Sequence, residues 1–570
     1  MPRTATAALL ALLAVSCAAP PAVEPVPVLP TSTAAPQRAA LAMPDRFSAD
    51  VVEAVLREGG NAVDAAVAGA FALAVTYPEA GNIGGGGFML VTMQGQPYFL
   101  DYRETAPAGA SRDMYLDENG DVVPDQSIVG ALAVATPATV AGLWEAHRRF
   151  GTQPWARLVQ PAIMLAREGF VAPAQLAERI QEESAGFGGR TNFDAHFGSL
   201  RGGERFVQAD LAQSLQRIAD AGRDGFYAGP TAEALVAQMQ RSGGIISAAD
   251  LRDYEPKWRE PLDSQWRGYR LLSAPLPSSG GFAVIQLLKM KDELASEFAG
   301  LGHNSPKYIH LVAEMEKRVF ADRAEYLGDP DVVDVPIDRL IDDAYIASRA
   351  REVNPTAIST LEAAQPGLEG RHTTHLSIVD GKGNAVANTY TLNTWFGSGL
   401  VVEGAGFLLN NEMDDFSIKP GTPNYYGVVG KDANAIAPGK RMLSSMSPTI
   451  LLDGSKPVMV LGSPGGSTIF TSVFQSVVNV LDFDMTPSEA VAATRFHHQL
   501  LPPDLVTFSV GNPLPDDTVR ALSDFGYRAE PHPWVFGDVQ LIWWNGESFE
   551  TGSDPRGRGV SRQIMLKTTR

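Results

Sequence analysis

The chain has 570 residues, of which 45% are hydrophobic and 19% charged, and this composition is typical of a globular protein. At about 150 residues per domain, the length suggests roughly three or four domains. The net charge of −19 and the pI near 5.0 argue against nucleic-acid binding, because the chain has no basic excess with which to neutralise phosphates.

Residues 1–17 have the pattern of an export signal. Arg3 precedes an apolar run from Ala7 to Val15, which is too short to span a bilayer and is followed by small residues. The segment "AVSC" ends at Cys17 and resembles a bacterial lipobox, in which the cysteine is lipidated, although Ala14 stands where leucine is usual. A plain secretory signal with an incidental cysteine is the alternative.

Residues 18–40 are rich in proline and alanine, which predicts an extended tether between a lipidated Cys17 and a globular body. A membrane contact is expected only through this anchor, in a protein exported to the periplasm or the outer membrane of a bacterium. Because Cys17 is the single cysteine, the sequence excludes a disulfide framework and a zinc–thiolate site.

The next segments predict two helices and a hairpin. Apolar spacing indicates a helix with Ser48 as its N-cap, ending at Gly59, and then a second helix capped by Asn61 whose surface is apolar nearly all round and therefore buried. A glycine loop leads into two strands that turn at Gly95–Pro97. Helical patterns dominate from about 140 to 340.

Residues 354–372 contain several prolines and glycines and predict an exposed connector, after which strand patterns prevail. One amphipathic helix, over 468–483, lies among these strands. A helix-rich first part and a strand-rich second part predict an α+β body in which helices cover the sheets.

The first strands after the connector predict a hairpin with two threonines at its open end. Strand alternation puts Thr373 and His375 on one face. If Asp380 pairs with Asn384 across the glycine-containing turn, Thr373 lies directly opposite Thr391, with Cβ atoms about 4.5–5.5 Å apart. Such a pair is ordinary in a sheet, so the hairpin alone favours a structural interpretation.

A catalytic interpretation requires a base for the threonine hydroxyl. A threonine at a chain terminus has one in its own α-amine, whose pKa is about 7.7–8.0. Thr373 becomes a terminus only if the chain is cut after His372, and the exposed connector is a segment where cleavage is feasible.

Longer motifs carry a resemblance to a known family. The segments "TTHLSIVDGKGNAVANTYTLNTWFGSG", "LLNNEMDDFS", "GTPNYYGVVGKDAN", "RMLSSMSPTI" and "GSPGGS", together with "LDYRETAP" upstream, resemble the γ-glutamyltransferase family from about residue 40 to the end. The resemblance implies an N-terminal-nucleophile hydrolase with a four-layer αββα sandwich. It also implies a precursor that cuts itself into a large subunit, 41–372, and a small subunit, 373–570, which form one heterodimeric body.

The resemblance implies a catalytic role for four residues. Thr373 would attack the carbonyl of His372, become the first residue of the small subunit, and then attack the γ-carbonyl of a γ-glutamyl donor such as glutathione. Thr391 would hydrogen-bond the Thr373 hydroxyl. Gly465 and Gly466 would present backbone N–H groups to the oxyanion, a role that suits glycines between a strand and a helix.

Other residues would recognise the two charged ends of the glutamyl group. The resemblance assigns Arg103, Ser444 and Ser445 to the α-carboxylate, and Asn393, Glu412 and Asp415 to the α-ammonium. A guanidinium suits a planar carboxylate. Tyr426, in the segment that resembles the family's lid loop, would contact Asn393 and cover the site. Taken singly, "EMDDF" and "SSMSP" are also typical of a solvated turn and a cap.

No cofactor or metal is expected. "GSPGGS" lacks the lysine of a phosphate-binding loop, and His497-His498 has no carboxylates at ligand spacing, so we interpret the pair as structural. Two alternatives remain beside a transferase that passes the group to amino acids, peptides or water. One is a glutaryl or cephalosporin acylase of the same fold, and the other is a non-catalytic lipoprotein that binds γ-glutamyl peptides.

Overall fold

The structure is a computed structural model that describes residues 37–359, 373–534 and 536–566. The predicted export signal with Cys17, the tether up to residue 36, and the end of the connector with His372 lie outside the described residues.

The strands fall in both halves of the chain. Within the described residues they are β1 (Arg38–Met43), β2 (Gly86–Met93), β3 (Gln96–Tyr102), β4 (Phe170–Val171), β5 (Arg205–Phe206), β6 (Lys257–Arg259), β7 (Leu262–Trp266), β8 (Tyr269–Ser273), β9 (Thr374–Val379), β10 (Ala385–Thr391), β11 (Thr449–Asp453), β12 (Lys456–Gly462), β13 (Phe496–His497), β14 (Leu505–Phe508), β15 (Arg528–Pro531), β16 (Gln540–Trp544), β17 (Phe549–Ser553) and β18 (Val560–Met565).

The α-helices lie mostly before residue 352. In the described ranges they are α1 (Arg46–Arg57), α2 (Ala62–Thr76), α3 (Thr139–Phe150), α4 (Trp155–Glu168), α5 (Ala174–Phe187), α6 (Phe193–Phe197), α7 (Ala209–Ala221), α8 (Asp224–Tyr227), α9 (Gly229–Ser242), α10 (Ala248–Asp253), α11 (Gly280–Glu293), α12 (Ala295–Phe298), α13 (Pro306–Tyr326), α14 (Ile337–Leu340), α15 (Asp343–Arg351), α16 (Thr468–Asp482), α17 (Pro487–Ala492) and α18 (Asp516–Phe525).

Two antiparallel sheets form the centre. One has the strand order β18-β1-β9-β10-β2-β3-β6 and the other the order β17-β16-β12-β11-β8-β7. Their inner faces meet in an apolar core that includes Phe88, Leu90 and Ala387 from the first sheet and Ile450 and Val460 from the second. Each sheet therefore contains strands from before and after the predicted cleavage point.

Helices cover both outer faces. Helices α1, α2, α3, α4 and α7 pack with the first sheet in one large core, and α11, α13 and α16 pack with the second sheet in another. Helix α2 is buried at every residue, as its continuous apolar surface predicts. The four layers are an αββα sandwich, so the predicted fold class is confirmed.

Two local predictions differ from the structure. The N-cap of α1 is Asp45 rather than Ser48, because the Asp45 carboxylate accepts the Ser48 N–H at 2.8 Å. The turn between β2 and β3 lies at Gln94 and Gly95, both with positive φ, which leaves Pro97 inside the strand. The predicted cap of α2 at Asn61 is confirmed by a capping box.

Among the described residues, no helix combines the length and the apolar character needed to cross a bilayer.

Candidate active site

The predicted register of the threonine hairpin is confirmed. Strands β9 and β10 pair so that Thr374 lies opposite Tyr390. The same register, continued by one residue, places Thr373 opposite Thr391. Both threonines are almost fully buried, at the end of a hairpin that is central in its sheet.

A hydrogen-bonded histidine fixes the start of β9 between the two sheets. The His375 ring contacts the Thr389 hydroxyl at 2.7 Å and the Ser377 hydroxyl at 3.0 Å. Ser377 donates at 3.1 Å to the backbone carbonyl of Gln540 in the opposite sheet. Gly462 leaves room for the ring, since a Cβ there would lie 2.3 Å from it. Burial lowers the pKa of His375 to about 3, so the ring is neutral.

Thr373 and Thr391 line a cavity that gathers nearly all the predicted site residues. Its walls are Arg103, Arg323, Thr373, Thr391, Asn393, Glu412, Asp415, Asn424, Tyr426, Val428, Ser444, Ser445, Met446, Gly466, Ser467 and Ile469. Gly465 lines a neighbouring cavity instead, with Tyr77, Trp395 and Phe536. Motifs that are far apart in sequence therefore converge on one place.

The glycine pair lies between the end of β12 and the start of α16. Both Gly465 and Gly466 have positive φ, at 134° and 55°. A side chain at Gly465 would collide with Thr468, because its Cβ would lie 2.3 Å from the Thr468 hydroxyl. The Gly465 carbonyl accepts both the Thr468 N–H and its hydroxyl. The loop is a tight strand-to-helix turn next to the N-terminus of a 15-residue helix, where backbone donors are available for an anion.

Arg103 is fully buried and contacts two of the three acids of the 3₁₀ helix Glu412–Asp415. Its guanidinium lies 2.6 Å from the Glu412 carboxylate and forms an ion pair with Asp415. A third carboxylate, Glu104, is 3.5 Å away. The residues expected for the substrate carboxylate and for its ammonium therefore contact each other directly.

Burial sets the ionisation of these acids. It raises the pKa of Glu412 and of Asp415, and the positive charge of Arg103 opposes the rise in both. Burial also raises the pKa of Glu104 to about 8, again with Arg103 opposing. The cavity is therefore a place where a positively charged ligand group would stabilise the ionised carboxylates.

Asn393 connects Thr391 to Tyr426. Its N–H donates to the Thr391 hydroxyl at 2.8 Å, and its side chain donates to the Asn411 carbonyl at 3.0 Å. The Tyr426 hydroxyl lies 2.7 Å from the Asn393 backbone carbonyl and 2.5 Å from its side-chain oxygen. The contact expected between Tyr426 and Asn393 is present. A threonine oxygen that accepts the Asn393 N–H can donate its own proton to a neighbour.

The Ser444–Ser445 turn is held by the segment before α11. The Ser444 N–H donates to the Pro277 carbonyl at 2.8 Å. The Ser444 carbonyl accepts two bonds from Ser279, one from its N–H and one from its hydroxyl, both at 2.8 Å. These contacts position both serines on the cavity wall.

Two charged groups at or beside the cavity were not found by the sequence analysis. Glu104 lies 3.5 Å from the Arg103 guanidinium, and only the burial of its carboxylate distinguishes it from a surface acid. Arg323 lies on α13, in a stretch that reads as an ordinary amphipathic helix, and no local motif marks it.

The histidine pair makes contacts within the fold. His497 contacts the Thr471 hydroxyl at 3.0 Å, and His498 contacts the Pro503 carbonyl at 3.1 Å. Within the ranges that the structure covers, no group of three or more His, Cys, Asp or Glu side chains is arranged to hold a metal ion.

Comparison with known proteins agrees with this geometry. The family model described as gamma-glutamyltranspeptidase matches residues 48–564. The glutathione hydrolase proenzyme of Pseudomonas aeruginosa is 58% identical over 521 residues, 91% of this chain and 94% of the relative. The solved gamma-glutamyltranspeptidase from Pseudomonas nitroreducens, complexed with L-DON, is 56% identical with a TM-score of 0.55, over 56% of this chain and 95% of that chain. The cephalosporin acylase structure from Bacillus halodurans is 25% identical with a TM-score of 0.80, over 95% of this chain and 99% of that chain.

The αββα sandwich, with a buried threonine pair at the end of a central hairpin, defines an N-terminal-nucleophile hydrolase. The match over residues 48–564 and the 58% identical relative make the assignment more specific. The chain belongs to the gamma-glutamyltranspeptidase family, as its motifs predict.

Proposed function

We propose that this protein is a self-processing γ-glutamyltransferase and glutathione hydrolase. The observation that carries the proposal is the convergence of Thr373, Thr391 and a buried set of opposite charges on one cavity. Membership of the gamma-glutamyltranspeptidase family and similarity to a glutathione hydrolase proenzyme support it.

Processing begins with the Thr373 hydroxyl. Its oxygen attacks the carbonyl carbon of His372, the peptide C–N bond breaks, and the proton passes to the nitrogen that becomes the α-amine of Thr373. The resulting ester is hydrolysed by water, which releases the His372 carboxylate and restores the hydroxyl. The products are the large subunit 41–372 and the small subunit 373–570.

Turnover uses the new terminus. The α-amine of Thr373 accepts the hydroxyl proton while the oxygen attacks the γ-carbonyl of the donor, and Thr391 orients that oxygen. Backbone N–H groups of Gly465 and Gly466 stabilise the oxyanion. The leaving amine takes the proton, a γ-glutamyl ester remains on Thr373, and water or an amine acceptor then cleaves that ester.

Recognition of the donor is an exchange of ion pairs. The substrate α-carboxylate binds Arg103 and the hydroxyls of Ser444 and Ser445. The α-ammonium forms ion pairs with Glu412 and Asp415 in place of Arg103. The internal salt bridges keep the buried charges paired before the substrate arrives. When the substrate binds, these salt bridges are replaced by two new ion pairs, so no buried charge loses its partner. A buried charge without a partner would cost on the order of 3–5 kcal/mol.

The acylase alternative is disfavoured by the same acids. A glutaryl group has a carboxylate but no ammonium, so it would leave Glu412 and Asp415 buried without a cationic partner once Arg103 binds the substrate. Tyr426 closes the cavity over Asn393, which favours small donors such as glutathione over polymeric ones.

The acceptor has a place to enter beside the oxyanion loop. The cavity next to Gly465 is lined by the aromatic residues Tyr77, Trp395 and Phe536 and by the charged residues Arg179, Asp538 and Arg556. We assign the amino-acid or dipeptide acceptor to this side because it adjoins the Gly465–Gly466 loop, and its aromatic and charged residues suit the side chain and the charged groups of an amino acid.

We also propose that the protein is exported and anchored through a lipidated Cys17, with residues 18–40 as the tether. Mass spectrometry of the mature N-terminus tests this, because lipidation adds acyl chains to a cysteine that has become the first residue. A mature chain that begins elsewhere and carries no lipid would contradict the anchor.

Electrophoresis and sequencing test the processing step. The purified enzyme should run as two bands under denaturing conditions, the smaller beginning Thr-Thr-His-Leu, and Thr373→Ala should stay intact and inactive. A non-catalytic binding protein would remain one band. Two bands from Thr373→Ala would refute the assignment of Thr373 as the nucleophile.

An activity assay separates hydrolysis from transfer. It measures the release of p-nitroaniline from γ-glutamyl-p-nitroanilide with and without glycylglycine as the acceptor.

A further inference from the structure

Arg323 is a cation of the donor cavity with no role in the mechanism above. It lies near the C-terminal end of α13, it is 7% exposed, and it lines the same cavity as Thr373 and Asp415. A buried guanidinium is retained at a desolvation cost of several kcal/mol unless anionic or polar partners offset it.

Arg323 is linked to the serine turn by a short hydrogen-bond chain. Its Nε donates to the Ser279 hydroxyl at 3.1 Å, and that hydroxyl donates to the Ser444 carbonyl at 2.8 Å. A charged donor at the head of such a chain polarises the next bond. The guanidinium therefore supports the turn that is assigned to the substrate carboxylate.

Arg323 also acts on the acid that is assigned to the substrate ammonium. Its positive charge opposes the rise that burial imposes on the pKa of Asp415, an effect it shares with Arg103. When the substrate carboxylate occupies Arg103, that guanidinium is shared with a new anion. Arg323, which lines the same cavity, then still lowers the pKa of Asp415.

We propose that Arg323 is a positioning residue that sets donor specificity: it holds Asp415 and the Ser444 turn in the state that binds both ends of a γ-glutamyl head group. The inference rests on the proposed function, since it concerns the substrate class of the same site. Its consequence is selectivity for a donor with both carboxylate and ammonium over a glutaryl donor, which lacks the ammonium.

Substitutions at Arg323 separate its charge from its hydrogen bond. Arg323→Gln removes the charge and keeps an N–H donor near Ser279, whereas Arg323→Lys keeps the charge. For Arg323→Gln we expect KM for γ-glutamyl-p-nitroanilide to rise about tenfold, in line with the loss of a charged-group interaction, while KM for glutaryl-p-nitroanilide stays within about twofold. Arg323→Lys should retain most of the preference. Arg520→Gln, at an exposed position on α18, is the matched control.

The ratio of the two KM values is the readout, because a merely structural defect would change both donors alike. Equal loss with both donors in Arg323→Gln, or an unchanged ratio, would overturn the inference while leaving the proposed function intact. If Arg323→Gln fails to fold, Arg323→Lys provides the test. It keeps the charge and alters the bond to Ser279, so the ratio of the two KM values should stay within about twofold of the wild-type ratio. A loss of about tenfold in the preference for the γ-glutamyl donor in Arg323→Lys would overturn the inference. A wild-type enzyme inactive on γ-glutamyl-p-nitroanilide would overturn the proposed function itself.

Discussion

Removing one hydroxyl from the lid tests whether the Tyr426–Asn393 contact holds the cavity closed. The perturbation is Tyr426→Phe, which keeps the buried ring and deletes the group that lies 2.7 Å from the Asn393 carbonyl and 2.5 Å from its side-chain oxygen. The side-chain amide of Asn393 is held by Asn411 from the other side, so Asn393 cannot turn away easily to find another donor.

The expected magnitude follows from these contacts. Losing the hydrogen bond destabilises the closed lid by about 0.5–1.5 kcal/mol, and leaving a buried acceptor without a donor raises the loss to about 1–3 kcal/mol. The closed-to-open ratio should therefore fall by about 5-fold to 150-fold. KM for glutathione should rise, and bulkier γ-glutamyl donors should gain relative to it.

Hydrogen exchange of the lid amides measures the opening directly. The Gly421 and Gly427 N–H groups bond within the lid, to Gly430 and to Asn424, and both should exchange faster in the variant. Tyr425→Phe is the control, because Tyr425 is 37% exposed, whereas Tyr426 is 5% exposed. Unchanged exchange together with an unchanged KM would show that Tyr426 does not hold the lid, and the reasoning would fail.

Three further outcomes are expected. Asn61→Ala removes the capping box with Asp64 and should lower the free energy of unfolding by about 1 kcal/mol in urea titrations, whereas no change would contradict the cap. Gly462→Ala drives a methyl group against the His375 ring and should destabilise the protein by about 1–3 kcal/mol, visible as a lower Tm; an unchanged Tm would mean that the ring moves freely. Burial raises the pKa of Asp414 from 3.8 to about 7, so between these pH values the folded state holds a proton that the unfolded state releases. The contribution of Asp414 to the free energy of unfolding should therefore fall as the pH rises from about 4 to 7. Asp414→Asn should remove this pH dependence in unfolding measurements.

The register of the threonine hairpin and the α+β class were predictable from local patterns, whereas the four-layer αββα arrangement was implied by the resemblance to the γ-glutamyltransferase family. A glycine-containing turn closed by Asp380 and Asn384 allows few registers, and strand alternation then places every later pair down to Thr373 and Thr391. The nearly continuous apolar surface of α2 likewise predicts its burial, and Asn61 is a residue type that favours an N-cap.

Competing local signals explain the two boundary errors. Asp45 and Ser48 both suit an N-cap, and the apolar pattern of α1 is weak in its first turn, so the sequence does not choose between them. At the β2–β3 turn, Gln94 adopts a positive φ that non-glycine residues rarely take, and only the strand pairing reveals it.

Local patterns could not predict how the charged side chains pair with one another, although the resemblance placed Arg103, Glu412 and Asp415 in one site. The bond between Arg323 and Ser279 exists because α13 packs beside α11, and the salt bridges of Arg103 to Glu412 and Asp415 join residues that are about 310 positions apart. Charged residues at such positions look like solvated surface groups until the tertiary structure buries them.

The strand order has a consequence for the cut molecule. In the first sheet, β9 and β10 lie between β1 and β2, so each fragment left by scission before Thr373 contributes strands to a sheet that it cannot complete alone. The cut protein should still melt in a single transition, because each of the hydrophobic core clusters contains residues of both fragments. Refolding of the cut protein, in contrast, would be a bimolecular reaction between the two fragments, and its rate would fall on dilution. The mature protein would therefore depend on slow unfolding for its lifetime, because separated fragments at low concentration would rarely reassociate.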